Sequence, residues 1–292
     1  MGRDLTNAHR GRNFMQTLNS VFEKQVNLPS PPIIIQKLQS CIAQDVGNHE
    51  LAQIIETDQA FTARILRLVN SPFYGFAGKI VSVEEAITML GLNTVHQLLL
   101  TTSLLNTIKI ENKALDLNKF WAHSFGVGVI AKRLLFRRSK DIQNEGFLGG
   151  ILHDIGRLIF VRMNPVKFVE LYGNQTKAID LSAEQRYWRF NHQKAGEILA
   201  NSWNFPASIS TAIAHHHTPD EVSEHKLLVS AVHIADVLCH SLAIGDSGNF
   251  FVFYYSPQAW QNLGLTMEEL EGALNKSLEE IENSKHLLGD MH

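Results

Sequence analysis

Residues 149–160, GGILHDIGRLIF, set His153 beside Asp154 in the middle of an apolar run. A run of this kind turns toward a core, and an unpaired carboxylate there costs several kcal/mol, so any fold that accepts it must bring a partner. A helix starting near Glu145 puts Asp154 in line with Phe147, Ile151, Ile155 and Leu158. His153 then has Gly149, Gly150 and Gly156 as helical neighbours. Each mid-helix Gly costs about 1 kcal/mol against Ala, so three around one imidazole imply space kept for a ligand or a closely packed helix.

The same placement recurs. His123 shares a face with Phe120, Val127, Ile130 and Leu134; His192 with Ala195, Gly196 and Leu199; His216 with Ile209, Ala212 and Ile213; Asp236 with Val229, Val232 and His233. A single histidine on an apolar face is commonly a core residue bonded to a carbonyl, and a helical Asp commonly caps or pairs with an Arg such as Arg157 or Arg162. An ordered set of them is different, because buried carboxylates repel one another and a divalent cation removes both penalties.

The rest of the chain reads as helix. In FTARILRLVN, Phe61, Ile65, Leu68 and Val69 share one face, Arg64 and Arg67 look elsewhere, and Pro72 follows the stop at Asn70-Ser71. Ser82 and Glu85 form a capping box ahead of EEAITML, closed by Gly91. Residues 266–284 form an acidic amphipathic helix, and NFFVFYYS at 249–256 is expected to be loop or helix, having no strand partner. The expected fold class is all-α: a flexible arm over 1–20 with order beginning near Val21, an N-terminal helical subdomain over 21–115, and a helical bundle over 116–292, divided in the polar stretch 108–120.

Composition excludes rather than assigns. With 26 Lys and Arg against 29 Asp and Glu, the net charge of −3 gives no reason to expect nucleic-acid binding or attraction to a membrane surface. Cys41 and Cys239 form no CxxC pair and read as two reduced thiols. The polar start and the lack of a long apolar run predict a cytoplasmic protein.

His123, His153-Asp154 and Asp236 stand in the order found in the HD superfamily of metal-dependent phosphohydrolases, which the chain resembles. His192 and the pair His216-His217 match the extra histidines of the two-metal HD-GYP branch, and HDIGR is close to that branch's HDxGK, with Arg157 in place of Lys. The chain as a whole is most similar to the HDOD family of bacterial signalling proteins. That resemblance rests on LPSPP (28–32), RLVNSPFYG (67–75), VEEAITMLGLNTV (83–95), FWAHS (120–124), LGGILHDIGRLI (148–159) and AIAHHHTP (212–219).

The resemblance implies an N-terminal helical part packed on an HD-like bundle, and a regulatory role exercised through a signalling protein or a nucleotide. It also implies a site for one or two divalent ions, Fe, Mn, Mg or Zn, with His123, His153, Asp154, His192, His216, His217 and Asp236 as ligands. Many members lack part of that set; this chain has a competent residue at each position. The alternative role is phosphoester or nucleotide hydrolysis by a metal-activated water, with Asp154 bridging and Arg157 binding phosphate. Arg157 stays charged and cannot donate a proton as a Lys can, and no Gly-Tyr-Pro motif follows His217, which argues against cyclic di-GMP hydrolysis.

Overall fold

The structure, a computed structural model, describes residues 30–283 apart from 71–73, 75, 77–78, 109, 111, 174–179 and 250–253. The readings of the arm over 1–20 and of order beginning near Val21 lie outside these residues, as does half of 249–256, of which Tyr254 and Tyr255 are exposed loop. Every regular element among the described residues is helical.

Local chemistry sets the ends of these helices. The expected capping box forms, with the Glu85 N–H donating to Ser82 Oγ (3.1 Å) while the Glu85 carboxylate accepts from the Val81 N–H (2.8 Å). The first half of the chain folds as α1 (Ile33–Ala43), α2 (Asn48–Glu56), α3 (Gln59–Val69), α4 (Val83–Leu90) and α5 (Leu92–Thr107). Phe61, Ile65 and Val69 of α3 are buried, as their spacing predicts. Helix α5 is buried on nearly every side, with Val95, Leu98, Leu99, Leu100 and Leu104 all inside. A helix buried on most sides needs cover on most sides, and α5 receives it from α1, α3 and α4 on the one hand and from the next part of the chain on the other.

That part comprises α6 (Leu117–Leu134), α7 (Lys140–Leu152), α8 (Ile155–Met163), α9 (Pro165–Tyr172), α10 (Leu181–Trp188), α11 (His192–Ser202), α12 (Ala207–His215), α13 (Lys226–Ser241), α14 (Pro257–Leu263) and α15 (Met267–Asn283). Helices α6, α7 and α13 pack on one another, α12 closes on α7 and α13, and α11 bridges α8 and α12. One apolar core runs without a break from Ile35 to Ile281. Asn144 of α7 donates to Thr94 of α5 (3.2 Å), and Gln39 of α1 donates to the Trp203 carbonyl (3.0 Å) beyond α11.

The single helix expected through residues 145–154 is corrected. Helix α7 starts earlier, capped by Ser139, and stops at Leu152; α8 restarts at Ile155 with Asp154 as its N-cap residue. The glycines around the break serve close approach of helices. A Cβ on Gly150 would lie 2.5 Å from the Gly128 backbone of α6, and one on Gly156 would run into the His192 carbonyl of α11. The segments bearing His153 and His192 are thereby held against their neighbours at backbone distance.

Candidate metal centre

Asp154 and His153 sit at the corner between α7 and α8, His123 comes from the first turns of α6, His192 opens α11, His216 and His217 follow α12, and Asp236 lies in α13. All seven predicted ligands converge. Asp236 Oδ1 lies 3.1 Å from His123 Nε2 and 3.5 Å from His153 Nε2. Asp154 Oδ1 lies 3.2 Å from His192 Nε2 and 3.6 Å from His216 Nε2, while its Oδ2 is 3.4 Å from His153 Nε2. His217 Nδ1 is 3.7 Å from Asp236 Oδ2.

Two groups emerge, each with ligand atoms within 4.8 Å of one another: Asp154 with His192, His216 and His217, and His123 with His153 and Asp236. Asp154 joins the first group by one oxygen and faces His153 of the second with the other. Ligand atoms about 2.1 Å from a shared ion stand about 3.0 Å apart in an octahedron and about 3.4 Å apart in a tetrahedron; three of these six separations fall in that range and the other three lie just above it.

The imidazoles are aimed by their second nitrogens. His153 Nδ1 donates to the Gly150 carbonyl (2.7 Å), His216 Nδ1 to the Ile213 carbonyl (2.9 Å), and His123 Nδ1 to the Ile244 carbonyl (3.2 Å). His192 Nδ1 lies 2.7 Å from the Glu184 carboxylate, which also accepts from the His192 backbone N–H (2.7 Å) and from the Tyr172 hydroxyl (2.6 Å). Each such bond places the proton on Nδ1 and turns a lone pair on Nε2 into the centre, the arrangement of metal-bound histidines. The consequence is a conflict: His192 Nε2 and His216 Nε2 are 3.1 Å apart, lone pair toward lone pair. His153 Nε2 and Asp236 Oδ2 are buried and make no hydrogen bond. A divalent cation between these atoms resolves both features, so the residues present fit one.

Burial works to raise the Asp154 carboxyl, but Arg157, then His153 and His192, outweigh it and hold it well below the usual carboxylate range. Burial likewise opposes ionisation of Asp236, and His240, His123 and His153 overcome it. Burial pushes His216 down to about 4 and His217 well below its ordinary value, so both are neutral and able to ligate near pH 7. His153 moves the other way, up to about 10, since Asp154 and Asp236 overcome its burial when no cation competes for them.

Arg157 is fully buried, and its Nε is 2.9 Å from Asp154 Oδ1 with Nη1 3.9 Å from Glu184. The guanidinium thus lies against the same Asp154 oxygen that faces His192 and His216. Three other residues at the centre were not singled out from the sequence. His240 puts Nε2 3.3 Å from Asp236 Oδ1 and follows it by four positions, a helical spacing that could have revealed it. Glu184 belongs to a different helix from His192, and no local spacing points to it. His233, noted only as a neighbour of Asp236, donates from Nδ1 to the His216 carbonyl (2.6 Å) and accepts from the Ser256 N–H (2.9 Å), so both its nitrogens serve the fold.

Comparison with known proteins agrees with this architecture. An HDOD domain protein of unknown function from Geobacter sulfurreducens is 27% identical, with a TM-score of 0.74 over 93% of this chain and 97% of that one. A candidate phosphohydrolase from Shewanella amazonensis shares the fold at 22% identity, with a TM-score of 0.70 over 92% of this chain and 97% of its own. An uncharacterized protein of Treponema pallidum is 24% identical over 230 residues, 75% of this chain, which spans only 43% of that relative's length. No helix among the described residues is long and apolar enough to cross a membrane. The HDOD domain family matches residues 28–219, and with the helical architecture and the converging histidines and aspartates in place, the chain belongs to that family.

Proposed function

We propose that this chain is a regulatory signal-transduction module of the HDOD type, in which an HD-type centre holds one or two divalent ions and a signalling protein or a nucleotide is the partner. Asp154, His192, His216 and His217 would hold one ion, and His123, His153 and Asp236 the other. Five imidazoles with two carboxylates favour Fe, Zn or Mn over Mg. Residues 30–115 contain His49 and His96 but neither metal group among the described residues, and serve as scaffold or docking surface.

The observation that carries this reading is burial. No ligand side chain of the two groups is more than 4% exposed. A phosphoester must reach both the ion and a cation able to bind its oxygens, and Arg157 is enclosed against Asp154. In this arrangement the centre organises the bundle, and its carboxylates and imidazoles hold three helices and two turns at one point.

The completeness of the ligand set supports a second reading, a metal-dependent phosphohydrolase. An ion in such a site acts as a Lewis acid toward phosphoryl oxygen and lowers the pKa of water. One experiment separates the two. Protein loaded separately with Mn, Fe, Mg and Zn is analysed for bound metal and assayed on cyclic di-GMP, other nucleotides and generic phosphoesters, beside Asp154→Ala. The regulatory reading expects bound metal that is reduced in Asp154→Ala, with turnover at the same background in both proteins. Robust turnover lost in Asp154→Ala overturns it in favour of the hydrolase.

A further inference from the structure

A cavity of about 90 Å³ lies at the seam where α3 and α5 meet α6 and α7. Its floor is apolar, formed by Leu98, Leu105, Phe125, Phe147 and Ile151. Two cations, Arg64 and Arg67, stand along it, and no carboxylate does among the described residues.

Thr101 makes the cavity more than a packing gap. A helical Thr or Ser satisfies its hydroxyl by bonding back to a carbonyl of the preceding turn. Along α5, Thr102 does so to the Leu98 carbonyl (2.8 Å), Ser103 to the Leu99 carbonyl (2.5 Å) and Thr107 to the Ser103 carbonyl (2.7 Å). Thr101 does not: it is 3% exposed, it lines the cavity, and its Oγ1 makes no hydrogen bond. Arg64 stacks its guanidinium over Phe61 at 4.9 Å, while its buried Nε also makes no hydrogen bond. A buried hydroxyl and a buried cationic donor without partners are costly, and two such donors at the wall of one apolar cavity describe half of a binding site.

We propose that this cavity binds a small organic anion with an apolar body, a short-chain carboxylate, whose head accepts hydrogen bonds from Thr101 and Arg64 while its chain lies against Leu98, Phe147 and Ile151. The charge of the lining selects the anion: an amine would meet two guanidinium groups, and an alcohol would leave the cationic donor without a charged partner. The apolar floor selects the body, since a site of this volume lined by Leu, Ile and Phe takes hydrocarbon in preference to water. None of the proposed metal ligands lines the cavity, so this inference stands or falls apart from the reading of the metal centre.

Calorimetric titration of the full chain with butyrate, butanol and butylammonium tests it. Butyrate is expected to bind saturably at one site, butanol at least about tenfold more weakly, and butylammonium not at all. Thr101→Val preserves shape and removes the hydroxyl, and should weaken butyrate about tenfold with butanol unchanged; Thr101→Ser should restore it. Arg64→Gln, nearer the surface, should weaken butyrate by a similar factor and guards against a folding defect in the Thr101 variant. Shifts of the Ile151 and Leu98 methyl resonances on titration should place the ligand. Absence of saturable butyrate binding, equal affinity for butanol, or affinity unchanged in both Thr101→Val and Arg64→Gln would each overturn the proposal.

Discussion

Glu184 shows how one buried residue can govern a centre it does not enter. Burial works to raise its carboxyl, and His192, Arg157 and Tyr172 outweigh that and keep it ionised. The anion fixes the His192 ring through Nδ1 and leaves Nε2 to face Asp154. Glu184→Gln keeps the shape and removes the charge, so the His192 ring loses its anionic partner. Metal affinity of the ion held with His192 should fall about tenfold or more, as competition with a chromophoric chelator would register, while the ion held by His123, His153 and Asp236 should be retained. Equal loss of both ions would show that Glu184 supports the whole centre and not His192 alone.

At the level of elements, the break between α7 and α8 depends on contacts that only glycine permits. Gly156 faces the His192 carbonyl so closely that a methyl group there must push α8 from α11. Gly156→Ala gains helix propensity of about 1 kcal/mol in isolation, and overpacking of a rigid backbone contact reverses the sign. Urea unfolding of the variant should show a net loss of about 1–3 kcal/mol, with weaker metal binding because Asp154 and His192 sit on the two helices that separate. A variant as stable as the parent would mean that the two helices have room to give.

For the whole molecule, the buried imidazoles set the acid response of the metal-free protein. His216 is pushed down to about 4, and burial also lowers His217, His233, His240 and His96. An unfolded histidine binds a proton near pH 6.5, so between about 6.5 and 4 the unfolded chain takes up protons that the folded one refuses, and stability falls as pH falls. Glu145, raised by burial, and His153, raised by Asp154 and Asp236, oppose this with at most one proton each, and Asp154 and Asp236 stay ionised throughout the window. Urea midpoints of the metal-free protein from pH 7 to 5 should therefore drop, by about 1.4 kcal/mol per pH unit for each proton in excess. Bound metal should make the drop steeper, since protonation must also expel the ion. A flat profile would mean that these histidines titrate as they do in water.

Helix content and the inward-facing histidines and aspartates were both legible along the chain, because both rest on local rules. A 3.6-residue period, a Ser82-Glu85 box and the ordered His and Asp positions are carried by neighbours in sequence, and they hold wherever the helices go. The grouping of the ligands was not legible, because which imidazole meets which carboxylate depends on how α6, α8, α11 and α13 cross. The same reason hid Glu184, which lies eight residues from His192 on a separate helix and meets it only after the chain turns. His153 and Asp154 lay in a pattern that fits one helix equally well as two, and packing against Gly128 and His192 decided for the break. The sequence by itself thus determined an all-helical chain bearing histidines and aspartates on inward faces. Tertiary structure alone decided that these side chains form two adjoining groups, that Arg157 lies against Asp154, and that the whole set is enclosed, since distance between helices and exclusion of water are properties of the packed core and of no segment within it.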